Sequence, residues 1–182
     1  MTGELSRRGL LALGGAAALA GCGFQPVYMP TASGRAGPAQ RELAAIDVGL
    51  IPDRPGQLLR QDLQERLAAD SGGTPHRYDL AVSFSIAGEG IGVEPDSLAT
   101  RIRLTGTAQW TLTARDPSQT RVTSGSARAI DGVNVLDQQY FAADLDNEVV
   151  QRRLAAAVAD QIAMQLAVFF RRRAAVASRG AA

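Results

Sequence analysis

The chain has 182 residues, with 19 Lys+Arg against 18 Asp+Glu, one His, one Cys and a formal net charge of +1. Every one of its basic residues is arginine, which excludes Schiff-base lysines and P-loops, and a single His76 with a single Cys22 excludes Cys–His nucleophiles and zinc sites of the His/Cys type. The near-zero balance leaves no basic field for nucleic acid, and the length suits one domain with a core of its own.

The first residues read as an export signal. Arg7 and Arg8 precede an apolar run, Leu10 to Leu19, and small residues close it at Ala20-Gly21. The run is too short to span a bilayer, which takes about 20 residues. A core helix with a buried Cys fits poorly, because the segment is rich in glycine and has no polar face. Leu19-Ala20-Gly21-Cys22 has the pattern of a lipobox, in which the thiol takes a diacylglyceryl group, the chain is cut before Cys22 and the new amine is acylated, for example by palmitate. Two or three acyl chains anchor stably where one holds only marginally. Residue 23 is Gly, not the Asp that retains lipoproteins in the inner membrane, so the pattern points to the outer membrane. Ser6-Arg7-Arg8-Gly9-Leu10-Leu11 also resembles a twin-arginine signal, although the ordinary secretion route accepts the same residues. Removing residues 1–21 takes away Arg7, Arg8 and Glu4 and leaves equal numbers of arginines and acids.

Residues 22–40, rich in Gly, Pro and small side chains, read as the lipidated cysteine and a flexible tether. Ile46, Val48 and Leu50 alternate with Asp47 and Gly49, predicting a strand over 44–51. Leu59, Leu63 and Leu67 then recur at helical spacing, with Asp62 and Arg66 at i, i+4, predicting an amphipathic helix over 56–70. Tyr78, Leu80, Val82, Phe84 and Ile86 alternate as a second strand, followed by a glycine-rich turn over 88–97 that lacks the G-x-G-x-x-G pattern. The clearest strand is the third. Ile102, Leu104, Ala108, Trp110 and Leu112 form one face; Arg101, Arg103, Thr105, Thr107, Gln109, Thr111 and Thr113 form the other. Asp116-Pro117-Ser118-Gln119 predicts a hairpin turn. A fourth strand over about 120–130 has small residues with Val122 and Ile130. Val150, Leu154, Val158, Ile162, Leu166 and Phe169 predict a long helix over about 138–173, closed by Arg171, Arg172 and Arg173, which suit the helix dipole. Residues 174–182 read as a disordered tail. The fold class is therefore α+β: a domain over 41–173, ordered strand-helix-strand-strand-strand-helix, with a four-stranded mixed or antiparallel sheet, two helices on one face and the Thr/Arg/Gln side opposite.

With these pieces in place, the chain resembles the LptE family of lipopolysaccharide (LPS)-assembly lipoproteins. The likeness is carried by Gly21-Cys22-Gly23-Phe24-Gln25-Pro26-Val27-Tyr28, by Ile51 to Arg60 leading into the first helix, by Asp96-Ser97 and Thr100-Arg101 leading into the strand with Trp110, and by Asn134-Val135-Leu136 with Phe141 and the helix through Arg152-Arg153 to Leu166. The resemblance implies a non-enzymatic lipoprotein on the periplasmic side of the outer membrane. It would partner the LptD β-barrel, partly fill its lumen and bind LPS during delivery to the cell surface. No cofactor or metal is expected. A phosphorylated headgroup calls for guanidinium, which makes Arg101, Arg103, Arg121 and Arg128 the candidate LPS contacts.

Plainer readings compete at several positions. Arg101 and Arg103 also serve simply to solvate a strand face. Trp110 falls on the core side, and His76, beside Pro75 and a Gly-Gly pair, reads as an exposed loop residue. Arg171–Arg173 fit a helix-end cap, with lipid phosphate as the sharper alternative. Asp144, Asp146 and Glu148 sit where dipole compensation accounts for them without glycosidase-type carboxylate chemistry. Two other functions stay open at this point. One is an auxiliary lipoprotein of another envelope transporter, such as an ABC-type phospholipid system. The other is a lipid-anchored hydrolase, which would need a concave pocket with perturbed carboxylates.

Overall fold

The computed structural model describes residues 37–68, 73, 75–91, 101–134 and 140–180; at 68, 101, 133–134 and 140–147 it describes the backbone alone. Three helices and four strands follow in the order α1 (Pro38–Ala44), β1 (Ile46–Val48), α2 (Asp53–Ala68), β2 (Tyr78–Gly90), β3 (Arg101–Ala114), β4 (Arg121–Asn134) and α3 (Tyr140–Gly180). The sheet order is β1-β2-β3-β4. β1 lies parallel to β2 after the α2 crossover, and β2, β3 and β4 form an antiparallel meander, so the sheet is mixed and the α+β class holds.

The core lies between the sheet and the helices. Leu80, Ala108, Trp110 and Leu112 share one buried cluster with Leu59 and Leu63 of α2 and with Leu154, Val158, Ile162, Leu166 and Phe170 of α3. The i, i+4 leucines of α2 and the four-residue rhythm of α3 each give one apolar stripe, and both stripes are spent against the sheet. The stretch Glu148–Gly180 is long and apolar enough by composition to cross a membrane, yet half of its most apolar window is buried inside this domain. Arg66 Nε joins the two long helices by bonding Asp160 at 2.6 Å, with Asp62 beside it. That hydrogen bond is the largest cause of a guanidinium held still more firmly protonated than usual. Arg60 Nε donates to the carbonyl of Val48 at 3.1 Å and fixes α2 against the end of β1.

The structure has three helices where two were expected, and several element ends need correction. First, the tether does not reach residue 40: α1 begins at Pro38, with proline in the first turn where its missing N–H costs nothing, and it buries Ala39 and Leu43. Second, β1 stops at Val48 and Leu50 is 83% exposed. Gly49 N–H bonds the carbonyl of Leu80, and the chain then leaves the sheet so that Ile51 is buried instead. Gly56 is needed there, because a Cβ would meet Ile51 Cγ2 at 2.7 Å. Third, α2 starts at Asp53 and takes Pro55 into its first turn, rather than starting at 56. Fourth, α3 continues to Gly180, where a disordered tail was expected from 174; Ala174, Ala175 and Ala177 are strong helix formers. The described elements accordingly run from Pro38 to Gly180, beyond the expected 41–173 at both ends. The second strand also runs on to Gly90, and the fourth to Asn134. The signal, Cys22, the turn beyond Ile91 and residues 135–139 lie outside the described residues.

Candidate functional site

β3 decides the surface. Its alternation sends Ala108, Trp110 and Leu112 inward, all buried, and leaves Arg103, Thr105, Thr107, Gln109, Thr111 and Thr113 on the opposite side. The register sets their neighbours on that side. Ala81, Thr111 and Ser124 form one row across the sheet; Ser83, Gln109 and Ser126 form the next; Ser85, Thr107 and Arg128 a third; Ala87, Thr105 and Ile130 a fourth. Those four rows carry hydroxyls, one amide, small side chains and the guanidinium of Arg128, with Ile130, 58% exposed, their one large apolar residue. All three helices share the core of the inner face, and no described element covers the outer one. Each hydroxyl both donates and accepts, so the face can form hydrogen bonds with a second polar wall without charge matching.

The inner side of β4 is small for a reason that the sequence does not show. Trp110 lies over Gly125 so closely that a Cβ there would meet its ring at 2.6 Å. Trp110 Nε1 donates to Gln165 Oε1 at 3.1 Å, and Gln165 Nε2 donates to the Ser126 carbonyl at 2.9 Å. Gln161 bonds both backbone groups of Arg128, accepting at 3.1 Å and donating at 2.9 Å. Two amide side chains of α3 thus satisfy part of the β4 edge as another strand would.

The four arginines proposed as headgroup contacts share the outer side of the register but not one cluster. Arg101 pairs with Asn134 and Arg103 with Gly132, at one end of the sheet. Arg128 pairs with Thr107, about 14 Å further along, and Arg121 with Thr113, about 34 Å from Arg103, at roughly 3.4 Å per residue. The side chain of Arg101 lies outside the described residues, and Arg103 forms an exposed pair with Glu89 at 3.8 Å. Glu148, one of the three acids near the start of α3, pairs with Arg54 at 3.5 Å and with Arg152 at 3.3 Å; the side chains of Asp144 and Asp146 lie outside the described residues.

At the opposite end the structure assembles charges that are scattered in the sequence. Asp47 and Asp79 sit directly opposite each other in the parallel pair β1–β2. Arg115, just beyond β3, donates to Asp79 through Nε at 3.0 Å and to Asp47 at 2.5 Å, with a further Asp79 contact. Those bonds, Asp79 first and Asp47 second, raise its pKa further. The β3–β4 hairpin next to it follows the predicted turn: Ser118 donates through both its backbone N–H and its hydroxyl to Asp116 Oδ1, which lowers the Asp116 pKa. An open cleft of about 700 Å³ lies at this end, lined by His76, Arg77, Tyr78, Arg115, Thr120 and Arg173 among others. His76 is exposed there, as its loop position implied. Tyr78 donates its hydroxyl to Glu42 Oε2 at 2.8 Å and Arg77 pairs with Glu42 at 2.9 Å. Burial first, and Glu42 second, raise the Tyr78 pKa. Sequence reading missed this end because only the register Tyr78↔Ala114 and the length of α3 bring its parts together.

Comparison with known proteins agrees with this architecture. The family model LptE, lipopolysaccharide-assembly, matches residues 43–166. A crystal structure of a lipoprotein from Caulobacter crescentus CB15 superposes with a TM-score of 0.58 at 25% identity, covering 72% of this chain and 95% of that one. A minor lipoprotein from Acinetobacter baumannii gives 0.53 at 15% identity, over 68% of this chain and 90% of its own. The rare lipoprotein B of Shewanella oneidensis gives 0.50 at 11%, over 68% and 93%. The last two speak for the fold alone. No curated protein matches the chain.

Proposed function

The chain belongs to the LptE lipopolysaccharide-assembly family, and from that premise we propose that it is a non-enzymatic outer-membrane lipoprotein. It is anchored on the periplasmic side through Cys22, forms a complex with the LptD β-barrel as plug and assembly factor, and binds LPS for delivery to the cell surface. Residues 1–21 are then the signal, the stretch from Cys22 to the start of α1 the tether, and 37–180 the working domain.

The observation that carries this reading is the uncovered sheet face. A domain that buries its apolar residues on one side and turns hydroxyls and small side chains outward on the other is suited to the polar interior of a large barrel. The rows centred on Gln109 and Thr111 supply hydrogen-bonding groups without a charge that a neutral wall would have to desolvate, and Arg128 in the adjoining row is the nearest cation. For LPS, Arg101, Arg103, Arg121 and Arg128 are the proposed guanidinium contacts; their spread along the face suits a ligand engaged at successive points better than a single phosphate.

Purifying the mature lipoprotein from membranes tests the proposal. Intact mass should show a chain beginning at an acylated Cys22, a β-barrel should co-purify, and depletion should lower surface LPS. Recovery of an inner-membrane ATPase complex instead would favour the alternative transporter role. Arg103→Gln with Arg128→Gln should weaken LPS binding several-fold while the barrel is still recovered.

A further inference from the structure

We infer that the C-terminal end of α3 is a docking surface for the anionic phosphates of the membrane to which the chain is tethered. The last fully buried side chain of α3 is Phe170, whose ring packs at 5.4 Å from that of Tyr78, the first residue of β2. From Arg171 to Gly180 the helix runs on for about 15 Å at 1.5 Å per residue. A shallow concavity on this stretch is lined by Phe169, Arg172, Arg173, Val176 and Ala177, all of α3 itself and of no other described element, while Phe169 and Arg173 also line the cleft beside Tyr78, Arg115 and Asp116.

The charge on this overhang is one-sided. No acidic residue follows Asp160 in the sequence, whereas Arg171, Arg172, Arg173 and Arg179 do. Arg77 and Arg115 nearby are already committed to Glu42, Asp47 and Asp79. Arg172, Arg173 and Arg179 have no carboxylate partner among the described residues. The capping role expected for Arg172 and Arg173 is also removed, because they lie two turns before the end of the helix, and the dipole acts only over the last turn. Phe169 and Val176 are seven residues apart and share a face, with Arg172 and Arg173 between them and Arg179 one turn on. Val176 is 70% exposed, whereas Phe169 is partly buried against the core and forms the inner edge of the rung. An apolar rung flanked by guanidinium groups is the pattern of a helix that rests at a headgroup layer.

Position favours the same partner. α1, the element through which the described domain joins the sequence leading back to Cys22, packs on α3 and bonds Tyr78 through Glu42, at the end from which the overhang projects. Fifteen residue steps separate Cys22 from Gly37, a reach of at most about 50 Å. The surface rests on the proposed Cys22 anchor for its location, but its charge does not.

The test uses the mature lipidated chain on phosphatidylcholine vesicles with and without phosphatidylglycerol, followed by amide hydrogen exchange. Because the anchor is common to both arms, the comparison isolates headgroup charge. Each arginine near an anionic surface strengthens attachment about five-fold, so exchange over 171–180 should slow at least several-fold in the anionic vesicles while β3 stays unchanged. Raised salt should abolish the difference, as should R172Q/R173Q/R179Q. Equal exchange in both vesicles overturns the inference, as does slowing that survives the triple substitution or that needs a barrel partner instead of lipid. Intact mass at Cys22 and barrel recovery are read separately, so failure of the anchor or of the complex is distinguishable from failure of this surface.

Discussion

The two faces of β3 come from the same fourteen residues and have opposite fates. Trp110 and Leu112 disappear under α2 and α3, while Gln109 and Thr111, one residue away, face outward with no described element over them. A side-chain period of two gives the chain both a core and a hydrogen-bonding wall from one strand. The inner face holds the fold, and the outer face is left for something else.

That contrast can be broken most sharply at neighbouring positions. Leu112→Ala removes a fully buried side chain and should cost about 2–5 kcal/mol in denaturant unfolding. Thr111→Ala beside it should stay within about 0.5 kcal/mol; comparable losses at both sites would contradict the division. Gly125→Val tests how tightly the inner face is packed. Its side chain must displace the Trp110 ring, with an expected cost of about 1–3 kcal/mol and a changed Trp fluorescence spectrum.

Smaller effects sharpen the outer face at its charged end. Arg115→Ala leaves Asp47 and Asp79 facing each other uncompensated and should lower the Tm; adding Asp79→Asn should restore part of the loss. Tyr78 adds a pH signature. Its pKa is raised in the folded state, so its contribution is complete below the ordinary tyrosine value of about 10 and is lost as pH rises through the higher folded value. Tyr78→Phe should therefore be less stable than the wild type at neutral pH, and the gap should narrow in alkaline unfolding.

Much of this division is legible in the residues themselves. The alternation through Trp110 and the leucines of α2 specify the sheet face and the helix stripe because burial requires those periods. Other features depend on tertiary context. Leu50 continues the alternation of β1, yet the chain has already turned away to bury Ile51. α1 is short and begins within a Gly/Pro-rich stretch, so local composition resembles a tether. Ile130 looks like core, but pairing with Thr105 puts it outside. The overhang of α3 is built of Ala and Arg, which form helix well without any tertiary contact, and composition alone does not separate that from a frayed end. As for the candidate site, alternation identifies the outer-face arginines individually, whereas their separation along the sheet follows only from the strand register.

The most direct measurement of the central claim puts bulk in the middle of the uncovered face. Gln109→Trp, in the row with Ser83 and Ser126, should leave the thermal unfolding curve unchanged and abolish co-purification of the proposed β-barrel partner from membranes. A variant that folds and still recovers the barrel undiminished would contradict the assignment of this face to the complex.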